Sequence, residues 1–372
     1  LNKTFAKVII CLWVLLVILN VVLPKTDFSE SENRYLATFP TFSQKSLVNG
    51  TFMQKVDEYI NDHFIGRDTW ITAKSKMEYL LGKRENNGVF ICHDQLIEDL
   101  AEPTEKIVTA NIAGLKHYAD LFGKPTYILV APSAASIQAD RLPSFATGWD
   151  QKQFLTDLSE ELKGSVTAVN VYDTLCAHKD EYIYYRTDHH WTTDGAFLAY
   201  QQLCAAMGIT PSAYADFQVE TISTDFNGTL YSKSGVRNVT PDTIKSYKIG
   251  GVNRYTITSG SEVTEYDTIY FPEFLEKKDK YPYFLNGNQP IVTIDTQSTS
   301  GKKLLMFKDS YAHCLTPMLL QAYSEITLVD LRYVNTNIQN LINIQEYDET
   351  LFLYSMDVFT HQSNTSKLSR MQ

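Results

Sequence analysis

Apolar residues run almost unbroken from Val8 to Leu23, VIICLWVLLVILNVVL, with Asn20 the one polar position and Lys3 and Lys7 ahead of the run. As a helix rising about 1.5 Å per residue, the run measures roughly 24 Å. That is somewhat less than a hydrocarbon core of about 30 Å, and Phe5, Ala6 and a snorkelling Lys7 extend it. No small-x-small cleavage pattern follows in Asn20-Val21-Val22-Leu23-Pro24-Lys25. The pattern predicts a membrane anchor over residues 1–25, with its N-terminus cytoplasmic and the rest of the chain outside. Residues 26–45 are polar, contain Pro40, and read as a linker.

From residue 46 to 372 the pattern is that of one extracytoplasmic domain. Leu47, Phe52, Val56, Tyr59, Ile60 and Phe64 recur at helical spacing over 46–64, and Trp70, Ile71, Met77, Leu80 and Leu81 predict a helix over 68–81. Residues 88–91 and 95–97 predict a hairpin. After it, helical and strand patterns alternate. Helices are expected at 103–122, 151–163, 193–207, 315–322 and 337–344. Strands are expected at 126–131 (TYILVA), 166–170, 303–307, 325–331 and 350–355. Alternation with wholly apolar strands implies an α/β fold: a mostly parallel sheet with helices on both faces. Residues 217–283 break the rhythm with short polar-alternating segments and read as a β-rich insertion near the rim of a site.

Composition narrows the class. With 44% hydrophobic and 20% charged residues the chain is a packed globular protein. A net charge of -10 with no basic block argues against nucleic acid as a partner. The cysteines form no C-x-x-C pair, which argues against a zinc knuckle.

Two stretches hold reactive groups. The first is Tyr184-Tyr185-Arg186-Thr187-Asp188-His189-His190-Trp191; the second is Phe307-Lys308-Asp309-Ser310-Tyr311. Serine, histidine and aspartate are the ingredients of acyl transfer. Ser310 follows the strand ending at Phe307, and ligands of open α/β sheets bind at the carboxyl ends of strands. The helix expected from Leu315 would offer N–H groups to an oxyanion. On local sequence alone, Ser310 suits a turn or a helix cap equally well. In extended or turn backbone the two-residue spacing puts Asp188 and His190 on one side, with His189 turned away as a structural residue. Asp188 then orients the imidazole and is expected to push its pKa upward. The alternative is a histidine pair satisfying buried backbone groups. A metal-dependent phosphoesterase needs further Asp and His ligands, and His63, His93, His117, His178, His313 and His361 show no ligand spacing with the motif. No metal and no cofactor is therefore expected.

Asp188-His189-His190-Trp191 resembles the signature of the DHHW family of bacterial envelope proteins. That family is similar to the AlgX/AlgJ-type alginate O-acetylation proteins, which have an SGNH-hydrolase-like, flavodoxin-like domain. Glu32-Asn33-Arg34 with Leu36 and Phe39-Pro40, Asp62-His63-Phe64 with Arg67, and Ala131-Pro132-Ser133 with Leu142-Pro143 resemble further blocks. The resemblance implies Ser310 as nucleophile with His190 and Asp188 as base and acid. Trp191, Arg186, Tyr311, Gly228 and Ser133 are candidates for substrate or oxyanion contact. The chain departs from the SGNH pattern in having Lys308-Asp309-Ser310 where Gly-Asp-Ser is usual, and in placing Asp and His before Ser. The implied activity is O-acetyl transfer to, or acetylester hydrolysis of, a cell-surface or exported polysaccharide. A membrane-bound O-acyltransferase is the implied acyl supplier, since acetyl-CoA is absent outside the cell. The competing class is a non-catalytic glycan-binding or assembly protein of the envelope.

Overall fold

The computed structural model describes residues 3–29 and 34–372, which form two compact units: Leu1–Asn87 with Tyr231–Asn238, and Gly88–Leu230 with Val239–Gln372. Residues 46–87, grouped by the sequence reading with the large domain, thus fall with the N-terminal unit.

In the N-terminal unit, the apolar run forms a single helix, Lys3–Val22. Its window Lys3–Asn20, with a mean hydropathy of 2.0 and no burial within the protein, is long and apolar enough to cross a membrane. The helix expected over 46–64 is two, Gln44–Val48 and Thr51–Asp62. The break falls at Gly50, whose φ of +82° lies in the left-handed region, and just before it the Asn49 side chain accepts the Thr51 N–H at 3.1 Å. The helix expected over 68–81 runs Arg67–Leu80. Glu32 and Asn33 lie outside the described residues. Their neighbour Arg34 meets Asp62, the other motif residue, at 2.9 and 2.5 Å, with Arg67 at 3.7 Å. The Arg34 hydrogen bonds bring the Asp62 pKa down to about 2.

The larger unit begins with the hairpin β1 (Val89–Cys92) and β2 (Gln95–Glu98). The sheet strands that follow are β3 (Thr126–Ala131) and β4 (Thr167–Ala168). The inserted segment contributes β5 (Gln218–Phe226), β6 (Asp242–Lys248), β7 (Val252–Ser259) and β8 (Glu262–Tyr266). Last come β9 (Ile291–Thr296), β10 (Lys303–Lys308), β11 (Glu325–Val329) and β12 (Glu349–Ser355). One eight-stranded sheet has the order β8-β7-β9-β11-β10-β12-β3-β4. The five strands from β11 to β4 pair in parallel, and β9, β7 and β8 extend them antiparallel.

Side chains alternate across this sheet, and each face has its own apolar core. Leu129, Leu304, Met306, Leu351 and Leu353 point to one core, with Phe197, Tyr200 and Leu203 of the helix Thr193–Met207. Ile128, Val130, Leu305, Phe307 and Phe352 point to the other. There they meet Leu115 and Tyr118 of the helix Glu105–Phe122 and Leu155 and Leu158 of Gln151–Leu162. The runs read as buried strands are therefore apolar because both of their faces are covered.

Within the β-rich stretch over 217–283, β5 and β6 form their own ladder, while β7 and β8 join the main sheet through β9, a strand the sequence reading did not identify. Two expectations need correction. Residues 315–322 hold only the 3-10 turn Thr316–Leu319, because Pro317 lacks an N–H and the Thr316 hydroxyl turns back to the Ala312 carbonyl. Residues 337–344 hold short 3-10 turns. The side chains of Asn337 and Asn343 each accept the N–H two residues on, an arrangement that competes with helix.

Candidate active site

β12 lies between β10 and β3, so the carboxyl ends of these three strands meet where the chain switches direction, the usual ligand crevice of an open parallel sheet. Ser310 stands there, two residues beyond the end of β10. Asp309 makes the turn rigid: one carboxylate oxygen accepts the Tyr311 N–H at 2.9 Å. The other accepts the N–H and hydroxyl of Ser355, at the end of β12, both at 2.7 Å.

Opposite this turn sits the histidine loop, closed by the bridge between Tyr184 and Trp191. His190 Nε2 lies 2.8 Å from Ser310 Oγ, and His190 Nδ1 lies 2.5 Å from Asp188 Oδ1. Asp188 Oδ1 also accepts the His190 N–H, and Oδ2 accepts the N–H and hydroxyl of Thr229 at 2.8 and 3.0 Å. Serine, imidazole and carboxylate thus form a continuous chain of hydrogen bonds. Asp188 and His190 are buried, whereas Ser310 is only half-buried.

The electrostatics suit a base. Burial alone would raise the Asp188 pKa, but the imidazoles of His189 and His190 and the Thr229 N–H hold it well below the usual carboxylate range. Asp188 therefore stays ionised. For His190 the expected upward shift is reversed. Burial, reinforced by His189, outweighs the pull of Asp188 and moves the pKa below 6.5. His190 is accordingly neutral, and able to accept a proton, through the neutral pH range.

The other predicted residues are placed as follows. His189 packs on the His190 ring, with centroids 4.0 Å apart, and its Nδ1 lies 2.8 Å from Thr229 Oγ1. Trp191 is fully buried and donates its indole N–H to the Tyr311 carbonyl at 3.0 Å, so it ties the two loops together and does not stack on a ligand. Tyr311 is buried, with its hydroxyl donated to the His189 carbonyl. Arg186 lies over the Tyr182 ring, 4.5 Å from its centroid. The Gly228 N–H, suggested for an oxyanion, donates to Thr187 Oγ1 at 2.9 Å. Ser133 is held by Gln151 through its N–H (2.9 Å) and hydroxyl (2.8 Å) and takes no part in the chain of bonds to His190.

Sequence reasoning missed the braces of the loop. Asp242, on β6 and wholly buried, accepts the N–H groups of Arg186 (2.7 Å) and Thr187 (2.8 Å). It also accepts the hydroxyls of Thr187 and Tyr182, both at 2.5 Å. Each donor left unpaired here would cost about 1–3 kcal/mol. No local signal marks Asp242 in the sequence. Thr229, in contrast, directly follows Gly228, which the sequence reading had singled out. Among the described residues, Asp188, His189 and His190 form the one group whose side chains converge closely enough to hold a metal ion. Asp188 Oδ1 and His190 Nδ1 bind each other, and His189 Nδ1 binds Thr229, so a metal there would have to break these bonds.

A family model described as DHHW protein matches residues 32–116 and 107–329. A DHHW family protein from Eubacterium siraeum is similar in structure, with a TM-score of 0.64 at 24% identity over 76% of this chain and 95% of its own. Bacillus cereus PatB1 has a TM-score of 0.64 at 20% identity, over 74% of this chain and 98% of its own, and has also been solved with a sulfonyl adduct. The O-acetyltransferase domain of Pseudomonas putida AlgJ follows at 16% identity and a TM-score of 0.48, over 77% and 99% of the two chains. No curated protein matches the sequence. The fold, a mostly parallel α/β sheet covered on both faces, is the one shared with the Eubacterium siraeum DHHW protein and Bacillus cereus PatB1.

Proposed function

The chain belongs to the DHHW family, and from this premise we propose that it is a serine-dependent O-acetyltransferase or acetylesterase acting on an envelope polysaccharide. The observation that carries the reading is the hydrogen-bonded order Ser310–His190–Asp188, assembled at the carboxyl edge of the sheet from segments far apart in the chain.

The chemistry follows from the geometry. Ser310 Oγ attacks the carbonyl carbon of an acyl ester while His190 Nε2 takes its proton. Asp188 holds Nδ1 protonated and balances the imidazolium that results. The Ser310 N–H, the first of a 3-10 turn and so without an intrahelical partner, is a donor position for the oxyanion. Collapse of the tetrahedral intermediate expels the donor's alcohol, which leaves with the proton from His190, and Ser310 carries the acyl group. A sugar hydroxyl then gives its proton to His190, attacks the acyl carbon and returns Ser310. Water at this step makes the protein an esterase. Membership of the family and the absence of acetyl-CoA outside the cell favour a membrane-bound O-acyltransferase as acyl supplier.

The test is acetate release from p-nitrophenyl acetate across pH. Because His190 must be neutral to act and its pKa is lowered from 6.5 by burial, the rate should be level through neutrality. It should fall about tenfold per pH unit only below an inflection that lies under 6.5. An inflection above 6.5 would show that Asp188, not burial, dominates; absence of esterase and transferase activity would sink the reading.

The same proposal makes Lys3–Val22 an uncleaved single-pass anchor, with the catalytic unit outside. Alkaline carbonate washing should leave the chain in the membrane pellet. Recovery of a soluble form beginning at Lys25 or later would defeat the anchor.

A further inference from the structure

Beneath the triad lies a stack of rings that the mechanism above does not use. Tyr281, in the turn Tyr281–Tyr283 before β9, lies parallel to the His190 imidazole, with centroids 4.1 Å apart and planes 21° apart. Its other neighbour is His313, 5.9 Å away at 20°. Phe284 and Tyr185 meet Tyr281 edge-on at 5.8 and 6.4 Å, and its hydroxyl donates to Cys314 Sγ at 3.4 Å. His313 is fixed in turn, its Nε2 accepting from Lys308 Nζ at 3.0 Å. Tyr281 is thus clamped on several sides and buried, with one ring face given to the base.

Resting on the triad reading, we propose that Tyr281 is a positioning residue for the general base. Its ring fixes the imidazole plane so that Nδ1 meets Asp188 and Nε2 meets Ser310, and its π face stabilises the imidazolium formed when serine is deprotonated. The physical ground is that an aromatic face attracts a cation, most strongly away from water. A neutral imidazole gains little from the same face, so the contact strengthens as the transition state is reached. The titratable groups around His190 are Asp188 and His189 on its own loop, Asp309, Tyr311 and His313 from the nucleophile turn, and Tyr281 itself. Burial keeps the Tyr281 phenol protonated, with its pKa well above 10, so it adds no charge of its own.

The test is kinetic and uses the full chain. Tyr281→Phe keeps the ring and should hold kcat within about threefold, with the acid inflection unmoved. Tyr281→Leu removes the π face; kcat should fall about ten- to thirtyfold with KM little changed, the size of a desolvated cation–π contact. Its inflection should move down by about one pH unit, since the imidazolium loses support. Fluorinated phenylalanines at position 281 preserve shape while draining the ring, and should lower kcat stepwise even if the leucine variant does not fold. A flat fluorine series, or a leucine variant with parental kcat and inflection, overturns the proposal. Ser310→Ala run alongside separates the two ideas: an active alanine variant removes the triad reading itself, whatever position 281 does.

Discussion

Ser310→Ala should reduce ester cleavage to background, a loss of about 10⁴-fold or more in kcat, and His190→Ala should match it. The equality is expected because the two residues act as one unit: serine without a base keeps its proton, and a base without serine has nothing to activate. Asp188→Asn should cost less, because the His190 imidazole keeps its Nε2 contact to Ser310 and its stack on the Tyr281 ring. It should still cost heavily, since Oδ1 binds Nδ1 at 2.5 Å and sets the tautomer. His189→Ala should keep most of the activity, because that ring faces Thr229. A sulfonyl fluoride gives an independent check. Mass spectrometry should place the adduct on the peptide containing Ser310 in the parent, with none in Ser310→Ala. An alanine variant that cleaves the ester at the parental rate, with its circular dichroism intact, would exclude Ser310, and Ser133 would be tested next.

Gly228→Ala should be the most damaging substitution outside the triad. A Cβ at this position would stand 2.3 Å from both Cβ and Oδ2 of Asp188. No real contact is so short, so either the Gly228 backbone or Asp188 must shift. Movement of the backbone would disturb the Gly228 N–H bond to Thr187 and the neighbouring Thr229 N–H bond to Asp188. Movement of Asp188 would draw its carboxylate off His190. Displacement of a catalytic group by about 1 Å costs roughly 10²-fold in rate, so kcat should fall by at least that much. KM should change far less. An alanine variant with kcat within threefold of the parent would show that the loop tolerates a side chain there. The requirement for glycine is thus steric, in place of the oxyanion role read from the sequence.

The legible parts of this protein were those with a period or a motif. TYILVA was readable as a strand because a strand covered on both faces has no polar alternation, and the Asp188–His190 pair was readable because both residues share a short motif. Ser310 was picked out by its place after a strand, and in the structure its Oγ lies 2.8 Å from His190 Nε2. What stayed hidden depends on distant partners. Asp242 looks like any strand aspartate until four donors converge on it. Tyr281 is one of 23 tyrosines, and only the packing sets it on His190. Trp191 was read as a candidate for substrate contact, but it is fully buried and its N–H is taken by the Tyr311 carbonyl. The pKa of His190 was misjudged for the same reason: the adjacent carboxylate is visible in sequence, while the depth of burial is not.

The central place of β12 has a kinetic consequence. This strand pairs with β10 on one side and β3 on the other, yet it is made from residues far later in the chain than either. Until it arrives, β3 and β10 have an open slot between them, and Asp309 lacks the Ser355 donors that fix the nucleophile turn. Pairings this remote in sequence pay their loop-closure entropy before any contact forms, which makes folding slow. A chain still emerging from the ribosome therefore holds Ser310 in an unformed turn. If Ser310 is the nucleophile as proposed, its activation waits until β12 enters the middle of the sheet.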